Sequence, residues 1–366
     1  MFETQIRTLA ARADSKGPFL SLYIDTFRAD ESQRDRVRLF VKNELHKIKE
    51  SIGGNGQQEP IDRALKSIEG YIEQVRPDSR GVALFACPGD GFFEAVELPV
   101  PVRPEVSIGS RPNLRQLTEL RQRYPRVVLC IVDAKSARLF ELEFGTILNE
   151  LDLENPALPR KHDQGSWSQA NLQRHVQDHI DRHHKEVAEL LARLVDQHRV
   201  PAVILSGQER SIANFREFLP KRIDEKVIGT LHLDGKSSSG DDMASACAGL
   251  VAANRGATLA VRLDALFLNG KGALGCEKTI DAFNQRRVDT LFIAPRAEGK
   301  AWKCSSCAVM GLHVPLGCPS CGADVMTVNL VDELVSAAAL EDAHVEYLPE
   351  ATLVDRHEGV AALLRF

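Results

Sequence analysis

Four cysteines near the C-terminus constrain this chain more than any other feature. They read Cys304-x2-Cys307-x10-Cys318-x2-Cys321, within "CSSCAVMGLHVPLGCPSC". Each CxxC pair places two thiolates on one side of a tight turn, and two such pairs complete a tetrahedral four-sulfur set for Zn²⁺. We therefore predict a closed, structural zinc ribbon at about 302–323, which holds together an insertion too small to have a core of its own.

Two other interpretations of these cysteines stay open, namely two CxxC redox pairs or unligated thiols. A tetrahedral site needs no fifth ligand, so we interpret His313 as a spare residue inside the ribbon. The other four cysteines lie scattered in apolar or helical surroundings, where buried and reduced thiols are expected. They are Cys87, Cys130, Cys247 and Cys276.

The order of strand and helix patterns predicts an α/β fold in three domains. Residues 1–125 read as strand, helix, loop, helix and two strands. Residues 126–258 begin with a hairpin, "RVVLCIVD" and "ARLFELEFG", and continue with a long amphipathic helix from about 168 to 198 and the buried strand "AVILS". Residues 259–366 again alternate between strand and helix patterns, and they contain the cysteine insertion. Such alternation implies largely buried mixed sheets.

The net charge and the hydropathy of the chain restrict the classes of protein to which it can belong. The net charge of −5 argues against a surface that is basic throughout, but it permits a local nucleic-acid-binding face. The three segments carry +1 (19 Lys+Arg, 18 Asp+Glu), −2 (17 and 19) and −4 (10 and 14). We therefore expect nucleic-acid contact near the N-terminus and a protein partner at the acidic end. The N-terminal residues lack an apolar signal-peptide core, and no stretch is apolar enough for a bilayer, so a cytoplasmic location is expected.

A basic stripe lies in "ESQRDRVRLFVKNELHKIKE". Arg34, Arg38 and Lys42 recur every four residues, and Lys49 follows one heptad later. The stripe suits either a solvated helix face or a face that contacts phosphates.

Four histidines lie on the long helix of the second segment. At 100° per residue, His179 and His183 fall on its apolar stripe, whereas the spacing of all four, with His175 and His184, also suggests metal binding. We favour packing histidines, because no carboxylate accompanies them in a zinc-protease arrangement.

The chain resembles the archaeo-eukaryotic class I release factors and Pelota, in their bacterial branch, which includes the Balon-type ribosome hibernation factors. The most specific part is C-terminal, where "GALGCEKTIDAFNQRRVDTLFIAP", the ribbon, "VNLVDELVSAAALEDAHVEYLP" and "GVAALLRF" are similar to the family's third domain. The resemblance implies an N-terminal α/β domain at the decoding position. It also implies a ribonuclease H-like middle domain and a C-terminal domain like kink-turn-binding ribosomal proteins.

Two functional motifs of that family are altered here. The family's middle domain presents a Gly-Gly-Gln loop just before its long helix, and paired glycines allow backbone angles that other residues reach at high cost. The corresponding place reads Asp163-Gln164-Gly165-Ser166-Trp167-Ser168-Gln169, and no GGQ tripeptide occurs in the chain. The decoding loop Asn-Ile-Lys-Ser is replaced by "SIGGNGQQ" at 51–58. The chain thus resembles a release factor without its hydrolytic tip or its stop-codon reader.

The loop before the long helix is nevertheless suited to RNA. Cations can meet phosphates, amides can bond base edges and an indole can stack on an unpaired base. The candidate contacts are Arg160, Lys161, His162, Gln164, Trp167 and Gln169. An alternative is purely structural, with Ser168 as helix N-cap and Trp167 packed on Leu172.

The resemblance implies a non-catalytic factor in the A site of the bacterial ribosome, in contact with rRNA. Its acidic third domain would face a translational GTPase such as elongation factor Tu. The alternative is an enzyme, a release or rescue factor that hydrolyses peptidyl-tRNA with Gln164 or Gln169. A nuclease is disfavoured, because Asp133 stands alone at its strand end and a two-metal site needs clustered carboxylates.

Overall fold

The computed structural model describes residues 2–12, 18–26, 35–36, 39–44, 46–47, 58–74, 79–154, 169–233, 238–268, 270–348 and 353–365. They form two compact units, one of residues 1–122 with 259–366 and the other of residues 123–258. The boundaries fall within three residues of those expected from the sequence. The first and third segments, however, pack as one unit, and the division into three domains stays a prediction.

The N-terminal part of the first unit is an antiparallel sheet with helices. Its elements are α1 (Phe2–Ala10), β1 (Phe19–Asp25), α2 (Gln58–Gln74), β2 (Gly81–Cys87), β3 (Phe92–Leu98), β4 (Glu105–Gly109) and α3 (Arg115–Arg123). The sheet order is β3-β2-β1-β4. Strands β1 and β2 are apolar and buried along nearly their whole length, which is why they lie at the centre.

The second unit has a five-stranded mixed sheet. Its elements are β5 (Val127–Val132), β6 (Ser136–Glu143), β7 (Thr146–Glu154), α4 (Gln169–Gln197), β8 (Ala202–Ser206), α5 (Glu209–Arg216), α6 (Lys221–Asp224) and β9 (Val227–Leu231). The sheet order is β7-β6-β5-β8-β9. The pairs β5–β6 and β6–β7 are antiparallel, and the pairs β5–β8 and β8–β9 are parallel. The predicted hairpin and the predicted long helix are confirmed.

Helices cover both faces of this sheet. One core packs the inner stripe of α4, including Val187, Leu191 and Val195, on alternate residues of β5 and β8. On the opposite face, the other residues of these strands pack against α7 (Gly240–Leu268). The final residues of α7, from Leu259 onwards, belong to the first unit. This alternation explains why β5 and β8 read as continuous apolar runs.

The C-terminal part of the first unit contains two sheets. Its elements are β10 (Gly272–Leu274), α8 (Cys276–Asn284), β11 (Val288–Ile293), β12 (Lys300–Cys304), β13 (Met310–Gly311), β14 (Val325–Asn329), α9 (Leu330–Leu340), β15 (His344–Tyr347), a 3₁₀ turn (Leu353–His357) and β16 (Val360–Leu364). The main sheet has the order β10-β16-β11-β15, and the cysteine ribbon is a separate antiparallel sheet, β13-β12-β14.

Polar contacts join the two parts of the first unit. The hydroxyls of Thr118 and Tyr347 are 2.6 Å apart, and the Arg115 guanidinium donates to the carbonyl of Ala297 at 3.1 Å. These contacts explain why the first and third segments form one unit. Among the helices that the structure describes, none has both the length and the apolarity needed to span a membrane.

Candidate metal centre and flanking sites

The ribbon cysteines converge on a single point. One sulfur from each of Cys304, Cys307, Cys318 and Cys321 lies within 4.8 Å of every other. The Sγ atoms of Cys304 and Cys321 are 3.4 Å apart, and those of Cys307 and Cys318 are 3.5 Å apart. A tetrahedral ion with Zn–S bonds of about 2.3 Å requires sulfur separations of roughly 3.8 Å. The four thiols therefore fit one tetrahedral metal ion.

Backbone geometry prepares each cysteine pair for this role. The N–H groups of Ser306 and Cys307 donate to Cys304 Sγ at 3.3 and 3.4 Å, which lowers the pKa of that thiol and favours the thiolate. In the second pair, the N–H of Gly322 donates to the carbonyl of Cys318 at 2.8 Å, and Gly322 has φ +76°. That left-handed conformation suits glycine and explains its position directly after the second CxxC.

A small apolar cluster supports the ribbon from inside. It comprises Trp302, Cys304 and Cys318, with Val309, Ala323 and Val325 packed against it. The indole of Trp302 lies flat over Gly311, where an added Cβ would come within 2.6 Å of the indole Nε1. The cluster is too small to fold alone, as the sequence predicted, so the metal ligands and the neighbouring helices must hold it.

Two anchors attach the ribbon to the rest of its unit. The side chain of Asn284, at the end of α8, both donates to and accepts from the backbone of Met310, at 2.9 and 3.0 Å. The ammonium group of Lys303 lies 2.7 Å from Glu333 Oε2 on α9. The sequence analysis did not find these anchors, because nothing in the local pattern pairs β12 with α9.

Glu333 also binds Arg111 and is nearly inaccessible. Its Oε1 lies 2.7 Å from Arg111 Nε, and the two side chains are 2% and 6% exposed. Arg111 additionally donates to the carbonyl of Ala10 at the end of α1, at 2.9 Å. Beside them, burial raises the pKa of Asp332 to about 6. The charge of Arg115 lowers this pKa, and the charges of Glu105 and Glu333 raise it. Arg111 and Glu333 thus form a buried charge cluster connected to the ribbon through Lys303.

Two histidines of α4, His179 and His183, pack against the protein as expected from the apolar stripe. His183 is buried, His179 is half-buried, and His175 is exposed and stacks on His179 with ring centroids 4.9 Å apart. His184, which the stripe did not predict to be buried, lies edge-on against Phe215. Within the described residues, no group of three or more potential ligands includes these rings.

The four remaining cysteines are buried and outside disulfides, in agreement with the prediction of buried, reduced thiols. Burial raises the pKa of Cys130 to about 12 and that of Cys247 to about 11. The carboxylate of Asp133 caps the β5–β6 turn by accepting from the N–H groups of Lys135 and Ser136, at 2.6 and 2.8 Å. That engagement gives Asp133 a structural role.

Most of the predicted RNA contacts lie outside the described residues. These are Arg34, Arg38, Lys49, Arg160, Lys161, His162, Gln164 and Trp167. Lys42 is exposed on a helical segment at 39–44, and Gln169 is the first residue of α4. The RNA-binding role of all ten residues stays a prediction.

The middle region of the chain matches a known protein family. Residues 112–247 match the sequence model of the bacterial archaeo-eukaryotic release factors, and within that class the match is to family 10. The match covers about a third of the chain and supports the resemblance to the bacterial branch of the archaeo-eukaryotic release factors that was found in the sequence.

Curated relatives occur in Mycobacterium tuberculosis. An uncharacterised protein from each of two strains is 26% identical over 246 residues, which is 66% of this chain. The match spans 63% of the length of those relatives.

Several solved structures are more distantly similar to this chain. The archaeal translation termination factor aRF1 is 17% identical, with 100% of this chain and 98% of that chain covered and a TM-score of 0.26. Pelota of Archaeoglobus fulgidus is 18% identical, with 78% and 79% covered and a TM-score of 0.31. Dom34 of S. cerevisiae, a translation termination-like factor, is 10% identical, with 75% and 73% covered and a TM-score of 0.39.

Proposed function

We propose that this protein is a non-catalytic translation factor that binds the A site of the bacterial ribosome, as a hibernation or stress factor. The observation that carries the proposal is a release-factor family match over 112–247 in a chain that has Gly165-Ser166-Trp167 in place of a Gly-Gly-Gln tip. Hydrolysis of peptidyl-tRNA needs a water beside the ester whose position is fixed to within a fraction of an ångström. In this chain, Ser166 and the bulky indole of Trp167 replace the glycine and glutamine that would order this water.

The proposed arrangement has three parts. Residues 1–125 would lie at the decoding centre, 126–258 would form a ribonuclease H-like domain that reaches the peptidyl transferase centre, and 259–366 would be the kink-turn-protein-like domain. In support, β5, β6 and β7 form an antiparallel meander with β8 and β9 added in parallel on its other side. That strand order suits the ribonuclease H-like assignment.

In this proposal the segment that precedes α4, together with its first residue Gln169, binds rRNA and performs no chemistry. Trp167 stacks on an unpaired base, Arg160, Lys161 and His162 meet phosphates, and Gln164 and Gln169 bond base edges. The basic stripe of the first segment adds phosphate contacts at the decoding end.

The acidic C-terminal part contacts a protein in this proposal, and a translational GTPase such as elongation factor Tu is the partner we expect. Residues 259–366 carry a charge of −4, and residues 304–323 contain no lysine or arginine. A segment without lysine or arginine cannot neutralise phosphates, so the exposed side of residues 304–323 favours protein over RNA. The protein would act in the cytoplasm.

The metal in this proposal is zinc, and its role is structural. The four thiols would hold it, and when bound it supplies a covalent-strength crosslink between the two cysteine pairs. Elemental analysis of the purified protein should find one zinc per chain. Less than half an equivalent, together with four reactive thiols in this segment, would contradict the assignment.

Two assays test the ribosomal role. The purified protein should co-sediment with bacterial 70S ribosomes, and it should release no peptide from peptidyl-tRNA above background, with or without a stop codon in the A site. The variant Trp167→Ala should bind ribosomes more weakly, by roughly 1–3 kcal/mol, without a change in melting temperature.

Other outcomes would favour the alternatives. Release by the wild-type protein would identify a peptidyl-tRNA hydrolase, with Gln164→Ala and Gln169→Ala as the next variants. A Trp167→Ala protein that binds normally but melts earlier would assign the indole to helix capping. A protein that fails to co-sediment at low salt would refute the proposal.

A further inference from the structure

One carboxylate connects the cysteine ribbon with the N-terminal part of its unit. Glu333 lies in the first turn of α9 and is 2% exposed. Its Oε2 binds Lys303 of the ribbon strand β12, and its Oε1 binds Arg111, in the segment between β4 and α3. Arg111 belongs to residues 1–122, whereas Lys303 and Glu333 belong to residues 259–366. The carboxylate is therefore shared between the two parts.

Lys303 is placed by the metal centre, because it directly precedes the ligand Cys304. Within the ribbon sheet, Lys303 is opposite Met310 on one side and Met326 on the other. The N–H of Cys304 also donates to the carbonyl of Val309 at 2.9 Å. Strand β13 has only two residues, and the cysteine pairs hold it against β12 together with the Asn284 anchor. Without the metal, β12 would lose the crosslink at Cys304, directly beside Lys303.

The opposite end of the connection reaches α1. Arg111 uses Nε for Glu333 and Nη1 for the carbonyl of Ala10, at 2.7 and 2.9 Å. If Lys303 withdraws, Oε2 of Glu333 is left buried without this partner, and an unsatisfied buried carboxylate oxygen is unfavourable. Water must then enter beside Arg111, which loosens the contact of Arg111 with both Glu333 and Ala10.

We infer that metal binding by the ribbon fastens residues 1–122 to residues 259–366, through the connection Lys303–Glu333–Arg111–Ala10. The ribbon is then a metal-dependent lock between two parts of the protein, in addition to being a local fold. This inference rests on the zinc centre proposed above. It assigns that centre a regulatory role, because zinc loss would loosen α1 and the surroundings of Arg111, while the contacts of Thr118 with Tyr347 and of Arg115 with Ala297 would still join the two parts.

Amide hydrogen exchange of the full-length protein tests the lock. Zinc content is measured first, and exchange is then compared before and after removal of zinc with a chelator. In the wild type, zinc removal should accelerate exchange in residues 304–323 and also, by roughly tenfold, in α1 and around Arg111, as expected for loss of one charge-assisted hydrogen bond.

The variant Lys303→Met supplies the decisive comparison, because it removes the Lys303–Glu333 contact and keeps all four metal ligands. Its α1 should exchange at the metal-free wild-type rate even with zinc bound, and zinc removal should change that rate no further. The matched control Lys278→Met, an exposed lysine on α8, should respond like the wild type.

Two results would overturn the lock and leave the zinc centre intact. One is a zinc-loaded wild type in which zinc removal deprotects only residues 304–323. The other is a Lys303→Met protein whose α1 keeps the full response to zinc removal. A purified protein without zinc would instead refute the zinc centre and the lock together, and elemental analysis distinguishes that case at the start.

Discussion

Nε of Arg111 lies 2.7 Å from Oε1 of Glu333, and the two side chains are 6% and 2% exposed. Removing one partner of such a pair leaves the other charge buried without it, which is far less favourable than losing an exposed pair. This single contact therefore makes the stability of the first unit depend on residues from distant parts of the chain.

We predict that Arg111→Met lowers the free energy of unfolding of the first unit by about 3–5 kcal/mol. The matched control is Arg103→Met, which removes an exposed ion pair with Glu119 and should change stability by about 1 kcal/mol or less. Urea unfolding measures both variants. Equal effects of the two substitutions would show that burial of Glu333 is unimportant.

Asp332 should make the first unit less stable as the pH rises. Burial raises its pKa to about 6 in the folded protein, above the usual value of 3.8. The folded state therefore binds the proton more tightly than the unfolded state does. Its contribution is fully present below the unfolded pKa and is lost as the pH rises through about 6.

We predict that Asp332→Asn unfolds at higher urea concentration than the wild type at pH 8, by roughly 2 kcal/mol, and that the gain shrinks towards pH 5. The backbone N–H of Asp332, which donates to the capping side chain of Asn329, is retained in the variant. A stability difference that stays constant between pH 5 and pH 8 would contradict the prediction.

His184 should have the opposite pH dependence in the second unit. Burial, and then the charge of the neighbouring His183, lower the pKa of His184. A hydrogen bond with the backbone of Asp133 offsets only part of this lowering. The folded state therefore binds the proton more weakly than the unfolded state does. This contribution to the stability of the second unit is fully present above the usual pKa of 6.5, and it is lost as the pH falls through the lower pKa of the folded state.

The variant His184→Phe keeps an aromatic ring against Phe215 and Phe218 and should remove this acid sensitivity. Thermal unfolding of the second unit between pH 7.5 and pH 5 measures it. The exposed His175, replaced by Gln, is the control and should leave the wild-type pH dependence in place. A His184→Phe protein with an unchanged pH profile would assign the sensitivity to another group.

Gly311→Ala should loosen the ribbon, because the new methyl group would lie 2.6 Å from Nε1 of Trp302. Overpacking of this kind costs about 1–3 kcal/mol, which corresponds to roughly a tenfold loss of zinc affinity in a chelator competition. Gly249→Ala, on α7 with no atom within 4 Å of the new group, is the control and should keep wild-type affinity. Unchanged zinc affinity in Gly311→Ala would show that the indole moves without consequence.

The basic stripe is tested by its salt dependence. Replacing Arg34, Arg38, Lys42 and Lys49 with glutamine should weaken ribosome binding and flatten its dependence on salt concentration. Co-sedimentation at several ionic strengths measures both effects. A quadruple variant that sediments like the wild type at every salt concentration would identify the stripe as a solvated face.

Much of the fold could be predicted because buried strands and helices have recognisable local patterns of apolar residues. The hairpin of β5 and β6 and the helix α4 follow from apolar runs and periodicity. The strand β7 was not predicted, because it is an edge strand whose side chains are mostly exposed and carry no such pattern. The strand β9 and the helix α7, with its weakly amphipathic sequence, were missed for the same kind of reason.

The candidate metal centre was determined by the sequence itself, because ligand type and spacing restrict four cysteines to one geometry whatever surrounds them. Only the tertiary structure decided what the ribbon is attached to. Lys303, Glu333 and Arg111 meet through packing between segments far apart in the chain, and a charged residue that becomes buried has no sequence signature of its own. Local chemistry therefore defines the metal site, and long-range packing defines the charge network that surrounds it.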